Sequence, residues 1–166
     1  MKNFQINLLL LIIFSSNLGF GQETITSQDL QKVIGDWEGS LTYLDYQTNK
    51  PFTMPANLIV KQGKNENRLV LNNIYPDEPK SNGAYKIKIA KNGHLLNKHV
   101  VTSRKIVDDG VLRIETEHRG RDNKKRVNIR YTYLIDENIF AIRKEVQFEK
   151  IGIWIKRSEF NYKRKT

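Results

Sequence analysis

Cysteine is absent from all 166 residues. That excludes disulfides and thiolate metal sites, so packing and sheet pairing must hold the fold. It also removes the residue that carries the lipid of a bacterial lipoprotein, and a free rather than lipid-anchored protein is expected. No apolar run approaches the about 20 residues of a spanning helix. The longest, Leu8 to Phe14, stops well short of that. Phosphate-cradling glycine loops and a Gly-x-Ser-x-Gly nucleophile elbow are both missing. Ser103 and Ser158 stand in strand-like segments with no evident histidine partner, which argues against triad hydrolysis. Histidine is scarce, at three. His94 and His99 flank an expected bend and His118 sits at an expected strand end. This is no metal constellation, and all three are read as exposed. No metal or other cofactor is expected.

Negative charge is in deficit, and the formal net charge is +10. The cations concentrate in Arg119–Arg126 and Lys156–Lys165. A solvated basic exterior accounts for them, with an anionic cell-envelope surface as the partner such a face would suit. Aromatics are not interleaved with these charges in a stacking pattern, so nucleic acid is not expected.

The start of the chain reads as an export leader. Met1-Lys2-Asn3 is a short basic opening, the run Leu8–Phe14 follows, and Gly19-Phe20-Gly21 supplies small residues for cleavage before Gln22. Residues 22–166 then form one domain, large enough for a real core. A periplasmic or secreted location is the expectation.

Thr26 and Asp29 suggest a capping box, and Leu30, Val33 and Ile34 fall at helical spacing before Gly35. One short helix is predicted over Ser27–Ile34. Beyond Asp36 the chain reads as strands. They are predicted at Trp37–Tyr46, Asn57–Gln62, Arg68–Ile74, Ala84–Ala90, His99–Val107, Val111–His118, Val127–Ile135, Phe140–Phe148 and Gly152–Tyr162. Alternation is cleanest at Val127, Ile129, Tyr131, Tyr133 and Ile135. Asn92-Gly93 and Asp109-Gly110 are tight-hairpin signals. Arg119–Lys125 reads as a long basic loop. The last strand changes phase near Arg157–Ser158, which predicts a bulge there. The pattern is that of sequential antiparallel hairpins. It predicts an all-β fold, an up-and-down barrel of about eight to ten strands, with a two-sheet sandwich as the alternative.

Gly35-Asp36-Trp37, placed after a short helix and opening the first strand, resembles the Gly-x-Trp signature of lipocalins and the wider calycin-like barrels. The resemblance implies that Gly35 lets the chain turn into the barrel and that Trp37 plugs the closed end. It also implies a basic residue of the last strand lying over the indole, with Arg157 or Arg164 as the candidates. Haem-binding barrels with a related tryptophan motif use a histidine near the C-terminus, which this chain lacks, so no haem site is carried across.

The candidate ligand residues follow from what faces inward. Lys144 interrupts the apolar series Phe140, Ile142, Val146 and Phe148. An inward lysine needs a carboxylate, water or a ligand, unless a bulge or the barrel mouth releases it. Tyr43, Tyr85, Tyr131 and Tyr133 fall on apolar faces, where their hydroxyls need partners. Together they suit a small, largely apolar ligand with a polar head. A filled core with a basic outer face, serving as an envelope interaction module, is the alternative. Glu115 and Glu117 share one strand face. They are either an acid/base pair or an outer face bridged to Arg and Lys.

Overall fold

Hairpin after hairpin, the chain wraps round until its last strand pairs with its first. The computed structural model describes residues 23–107, 110–150 and 152–166. The segment predicted as an export leader and Asp109 of one predicted turn lie outside the described residues. One helix, α1 (Ser27–Gln31), precedes eleven strands: β1 (Gly35–Leu44), β2 (Pro51–Pro55), β3 (Asn57–Gln62), β4 (Arg68–Ile74), β5 (Gly83–Ala90), β6 (Leu95–Leu96), β7 (His99–Ile106), β8 (Leu112–Asp122), β9 (Lys125–Ile135), β10 (Ile139–Gln147) and β11 (Trp154–Arg164). Each strand from β3 to β11 pairs with the next, β3 also pairs with β1, and β11 closes on β1. All pairings are antiparallel. The up-and-down barrel is therefore closed, and the sandwich alternative falls away. β2 and β3 are two halves of one bent strand, both paired with β1 and broken at Ala56. The Ala56 N–H bonds the Gly39 carbonyl there, at 2.9 Å. Counted so, the ring has ten strands.

Closure at the first-strand end is built around Trp37. Its indole is 1% exposed, its Nε1 donates to the Val33 carbonyl at 2.8 Å, and Phe140 packs against it at 5.9 Å between ring centroids. Trp37 pairs with Arg164 in the β1–β11 register, and the Arg164 guanidinium lies 4.2 Å above the indole. The same guanidinium donates to the carbonyls of Ile34 (3.0 Å) and Lys32 (2.5 Å) at the end of α1, and its Nε donates to the Glu137 carbonyl. Gly35 makes room for it. Its φ is +132°, and a Cβ there would lie 2.6 Å from an Arg164 nitrogen. Arg157 is not the cap. It lies seven residues earlier on β11, roughly 23 Å away at about 3.3 Å per residue, and serves the opposite end.

α1 and the residues that follow it cover this end with Leu30 and Val33, both buried. It is shorter than predicted, ending at Gln31 with Lys32 as its cap. Asp29 ties it down by accepting the Thr26 N–H at 2.8 Å and pairing with Arg104 of β7 at 2.6 Å. The turn at Lys91–His94 meets the chain just before α1, where the Ile25 N–H bonds the Gly93 carbonyl at 3.1 Å. Gly93 has φ +91°, and a Cβ would sit 2.2 Å from the Ile25 carbonyl oxygen. Gly93→Ala is expected to cost about 1–3 kcal/mol. Chemical denaturation measures it, and an unchanged midpoint would show that the contact is dispensable.

Three turns differ from expectation. The Asn92-Gly93 hairpin spans four residues, with positive φ at Lys91, Asn92 and Gly93. A second turn at Asn97–Lys98, also with positive φ at both residues, creates the two-residue strand β6. The basic segment Arg119–Lys125 is not a loop. β8 and β9 stay paired up to Asp122 and Lys125, turning through Asn123 and Lys124 at φ 45° and 65°. The bulge predicted in the last strand is present: Lys144 pairs with Ser158 and Glu145 with Lys156, leaving Arg157 as the extra residue.

Candidate ligand-binding lumen

The half of the barrel next to Trp37 is packed solid. Leu58, Leu71, Ile87, Ile114, Ile135 and Phe140 of six strands all have relative exposures of 1% or less. Tyr133 belongs to this floor, 4% exposed and within hydrogen-bonding reach of Asn97. Burial pushes its phenol, and that of Tyr85, well above the ordinary tyrosine range. Of the candidate ligand residues, Tyr133 is thus a packed floor residue rather than an open wall.

Toward the other end the inward face changes character. Along β1, β5, β8, β9 and β10 the inward residues are successively Tyr43, Tyr85, His118, Tyr131 and Lys144, and each is only half-buried. The lumen is only partly open there, because Val127, Ile129 and Val146 form a second buried apolar cluster at that end with Phe148 and Ile155 against it. A pocket of about 470 Å³ lies at this end, lined by Tyr43, Tyr46, Lys144, Arg157 and Ser158 together with the β1–β2 loop; Tyr85, His118 and Tyr131 do not line it. Lys144 pairs across the sheets with Tyr131 and Ser158. No described carboxylate lies within 4 Å of it among the ion pairs of the molecule. The bulge opposite Lys144 and its inward orientation coexist.

The histidines correct the sequence reading. His99 and His118 do not stand exposed in solvent. His118 follows Ile114 and Thr116 on the inner face of β8, because that strand continues past it to Asp122. The two imidazoles stack at 3.6 Å and 7°, and Tyr131 is parallel to both. The Nδ1 atoms of both are buried without a hydrogen-bond partner among the described residues. Burial pulls His99 below the ordinary histidine value, aided by His118. Burial and the Lys144 charge do the same to His118.

The rim is held by a buried ion pair that sequence reasoning missed. Asp122, at the end of β8, accepts from Arg157 Nε at 2.8 Å and from the Tyr46 hydroxyl at 2.5 Å. Its side chain is 1% exposed and that of Arg157 13%. The Arg157 guanidinium also lies 5.0 Å from the Tyr46 ring centroid. The latch joins the β8–β9 hairpin, the β11 bulge and the β1–β2 loop. The only sequence signal was the phase change at Arg157.

Glu115 and Glu117 occupy the outer face of β8. Glu115 is paired with Arg113 at 2.5 Å and Glu117 with Arg130 at 2.6 Å. Their inner neighbours are Ile114, Thr116 and His118, so the two carboxylates do not converge on the lumen.

Stability should depend on pH in two windows. The unfolded histidines take up protons near pH 6.5, while His99 and His118 in the fold resist protonation. The unfolded state thus binds more protons as pH falls from 6.5 toward the folded values, and stability drops over that range. Burial works to raise Asp29, but Arg104 and Thr26 outweigh it. In Glu159 burial is likewise outweighed, by Lys156 and Arg143. Both carboxyls are held below their ordinary values of 3.8 and 4.5. Their contribution is complete above those values and fades as pH falls below them. Thermal melts from pH 8 to 3 should show both losses, and the first should vanish in a His99→Leu/His118→Leu variant. A flat profile between pH 7 and 5 would contradict the buried-histidine account.

No family model and no curated protein matches the chain. Among solved structures it is similar to Rv2717c from M. tuberculosis, at 12% identity and a TM-score of 0.55, over 87% of this chain and 100% of that one. It is also similar to a protein of unknown function of the DUF3598 family from Nostoc punctiforme, at 11% identity and a TM-score of 0.36, over 87% of this chain and 51% of that one. The likeness to Rv2717c is one of fold.

Proposed function

We propose that this is an exported, calycin-like barrel that takes a small, largely apolar ligand with an acidic head into the open half of its lumen. Lys144 is the observation that carries the reading: an inward ammonium beside tyrosines, with no carboxylate partner among the described residues, lining a pocket of about 470 Å³. Such sites are concave and mostly apolar, with few polar anchors. Tyr131, Tyr85 and Tyr43 supply walls that are apolar in body and polar at the tip. The Gly35-x-Trp37 closure under Arg164 supports the calycin-like placement, and the leader-like opening supports export. The role is carriage rather than catalysis, with Glu115 and Glu117 engaged by arginines on the outer face.

The test is uptake of a dansyl-labelled fatty acid by the purified protein, with native mass spectrometry of the same sample. Wild type should bind one equivalent. Lys144→Met should weaken binding about tenfold to a hundredfold, the worth of a hydrogen bond to a charge, with the melting temperature little changed. An empty protein that takes up no fatty acid would overturn the reading.

A second reading has its own observation. Arg119, Arg121, Lys124, Lys125 and Arg126 on the β8–β9 hairpin are all exposed, and none is in a described ion pair. Such a hairpin suits an anionic envelope surface. Salt-sensitive binding to anionic vesicles, lost in an R121E/K124E/K125E variant, is the expected result. Equal retention at low and high salt would rule it out.

A further inference from the structure

The end of the β8–β9 hairpin stands clear of its neighbours. β8 leaves β7 after Glu117 and β9 joins β10 only from Asn128, yet the two strands stay paired out to Asp122 and Lys125. Gly120 faces inward, where a Cβ would lie 2.6 Å from the Ile129 side chain, so Arg119 and Arg121 on either side of it face outward. Arg121 pairs directly with Arg126 across the strands, and Arg119 with Asn128. Like charges placed opposite each other on a sheet destabilise it. Elsewhere the fold gives its arginines partners: Arg104, Arg113, Arg130, Arg143 and Arg157 each hold a carboxylate. Arg119, Arg121 and Arg126 are exposed and in no ion pair among the described residues. All three line one concavity of about 340 Å³, together with Asn128 and Glu149. Glu149 offsets one of the three charges and leaves the concavity cationic.

A guanidinium presents a planar fork of donors that fits phosphate, often through two bonds at once. A phosphomonoester carries close to two negative charges and three free oxygens. A phosphodiester carries one charge and two free oxygens. Three forks around one concavity match the monoester, and an anion seated there relieves the Arg121–Arg126 repulsion. The volume exceeds that of a bare ion and leaves room for the group to which the phosphate is esterified.

We infer that this concavity is a phosphomonoester site, with Arg119, Arg121 and Arg126 donating to the terminal oxygens. The inference rests on the second reading above and names the chemistry the hairpin recognises.

Binding of the purified protein at pH 8 to two kinds of vesicle, matched in surface potential, tests it. Phosphatidate exposes a monoester and phosphatidylglycerol a diester. Glycerol 3-phosphate and glycerophosphoglycerol, the same headgroups without chains, make the soluble arm by isothermal titration. The monoester should bind about tenfold more tightly than the diester, the worth of a further hydrogen bond to a charge. Preference among the vesicles alone makes a lipid headgroup the source, and preference in both arms extends the site to soluble monoesters. Arg121→Lys/Arg126→Lys keeps every charge but removes two forks, so it should erase the preference while diester binding holds. Arg126→Lys gives the same comparison should the double variant fail to fold. A preference that survives both lysine variants would overturn the site. If monoester and diester bind alike in both arms, the site is wrong and the surface reading stands. If glycerol 3-phosphate is preferred while neither vesicle binds, the site stands and the surface reading falls. If nothing binds in either arm, both fall.

Discussion

Trp37→Ala is expected to destabilise the barrel by about 3–5 kcal/mol, the cost of emptying a buried site of that size. For a chain of this length that lowers the melting temperature by roughly 6–20 °C. The loss is large because the indole is fully enclosed and joins α1, through the Val33 carbonyl, to β10 through Phe140. Arg164→Met should follow at about 2–4 kcal/mol, from the cation over the ring and the carbonyls it leaves unpaired. Fluorescence separates the two arginines. In a Trp154→Phe background only Trp37 emits; Arg164→Met should shift its emission, and Arg157→Met should leave it unmoved. An emission shift with Arg157→Met alone would contradict the observed register.

Arg157→Met carries the other large effect, at the opposite end. It strands Asp122, whose side chain is 1% exposed, and breaking one side of such a pair costs about 3–5 kcal/mol. The Tyr46 hydroxyl remains as a partner, so the lower end of that range applies. Replacing both members with apolar residues, Arg157→Met/Asp122→Leu, should recover most of the stability because no charge is left buried. Urea denaturation of the two singles and the double closes the cycle. A double variant as unstable as the sum of the singles would show that the pair is not coupled. The latch also frames the pocket, so the recovered double variant should bind ligand with altered affinity although its stability is restored.

Much of this architecture was legible because it rests on local rules. Alternation in Val127–Ile135 exposed a strand with one buried face, and a phase change in the last strand gave the bulge. Gly35-x-Trp37 marked the closed end. Other features depend on partners that a linear reading does not bring together. Pro51 and Pro55 hid β2, which tolerates them because it pairs on one side only, with β1. Asn97–Lys98 is a tight turn with lysine at a positive φ, an uncommon choice that gives no signal. The charges of Arg119–Lys125 suggested a loop, yet an extended hairpin reaching past the barrel wall can be polar on both faces. Choosing between Arg157 and Arg164 needed the register of β11 against β1. The histidines were misplaced for a related reason. Ending β8 at His118 put that residue at a tip, whereas four further paired residues put it in the wall.

The site follows the same division. The inward placement of Lys144, Tyr131, Tyr85 and Tyr43 was legible by asking which polar groups break an inward apolar face. His99 and His118 were missed because β7 is displaced by the short β6 hairpin, and their stacking appears only once both strands are in register. Asp122 was missed because it lies in a basic run and its partners, Tyr46 and Arg157, are distant in sequence.

The central claim is that ligand enters the open half of the lumen, beside the stacked histidines and away from the Trp37 end. Selective labelling of histidine side chains, followed by NMR during titration with the dansyl-labelled fatty acid, tests it most directly. His94, in the turn beside α1, is the internal control. The ring signals of His99 and His118 should move with saturation while His94 stays in place. Ligand that binds while both of those signals remain still, or while His94 alone moves, would contradict it.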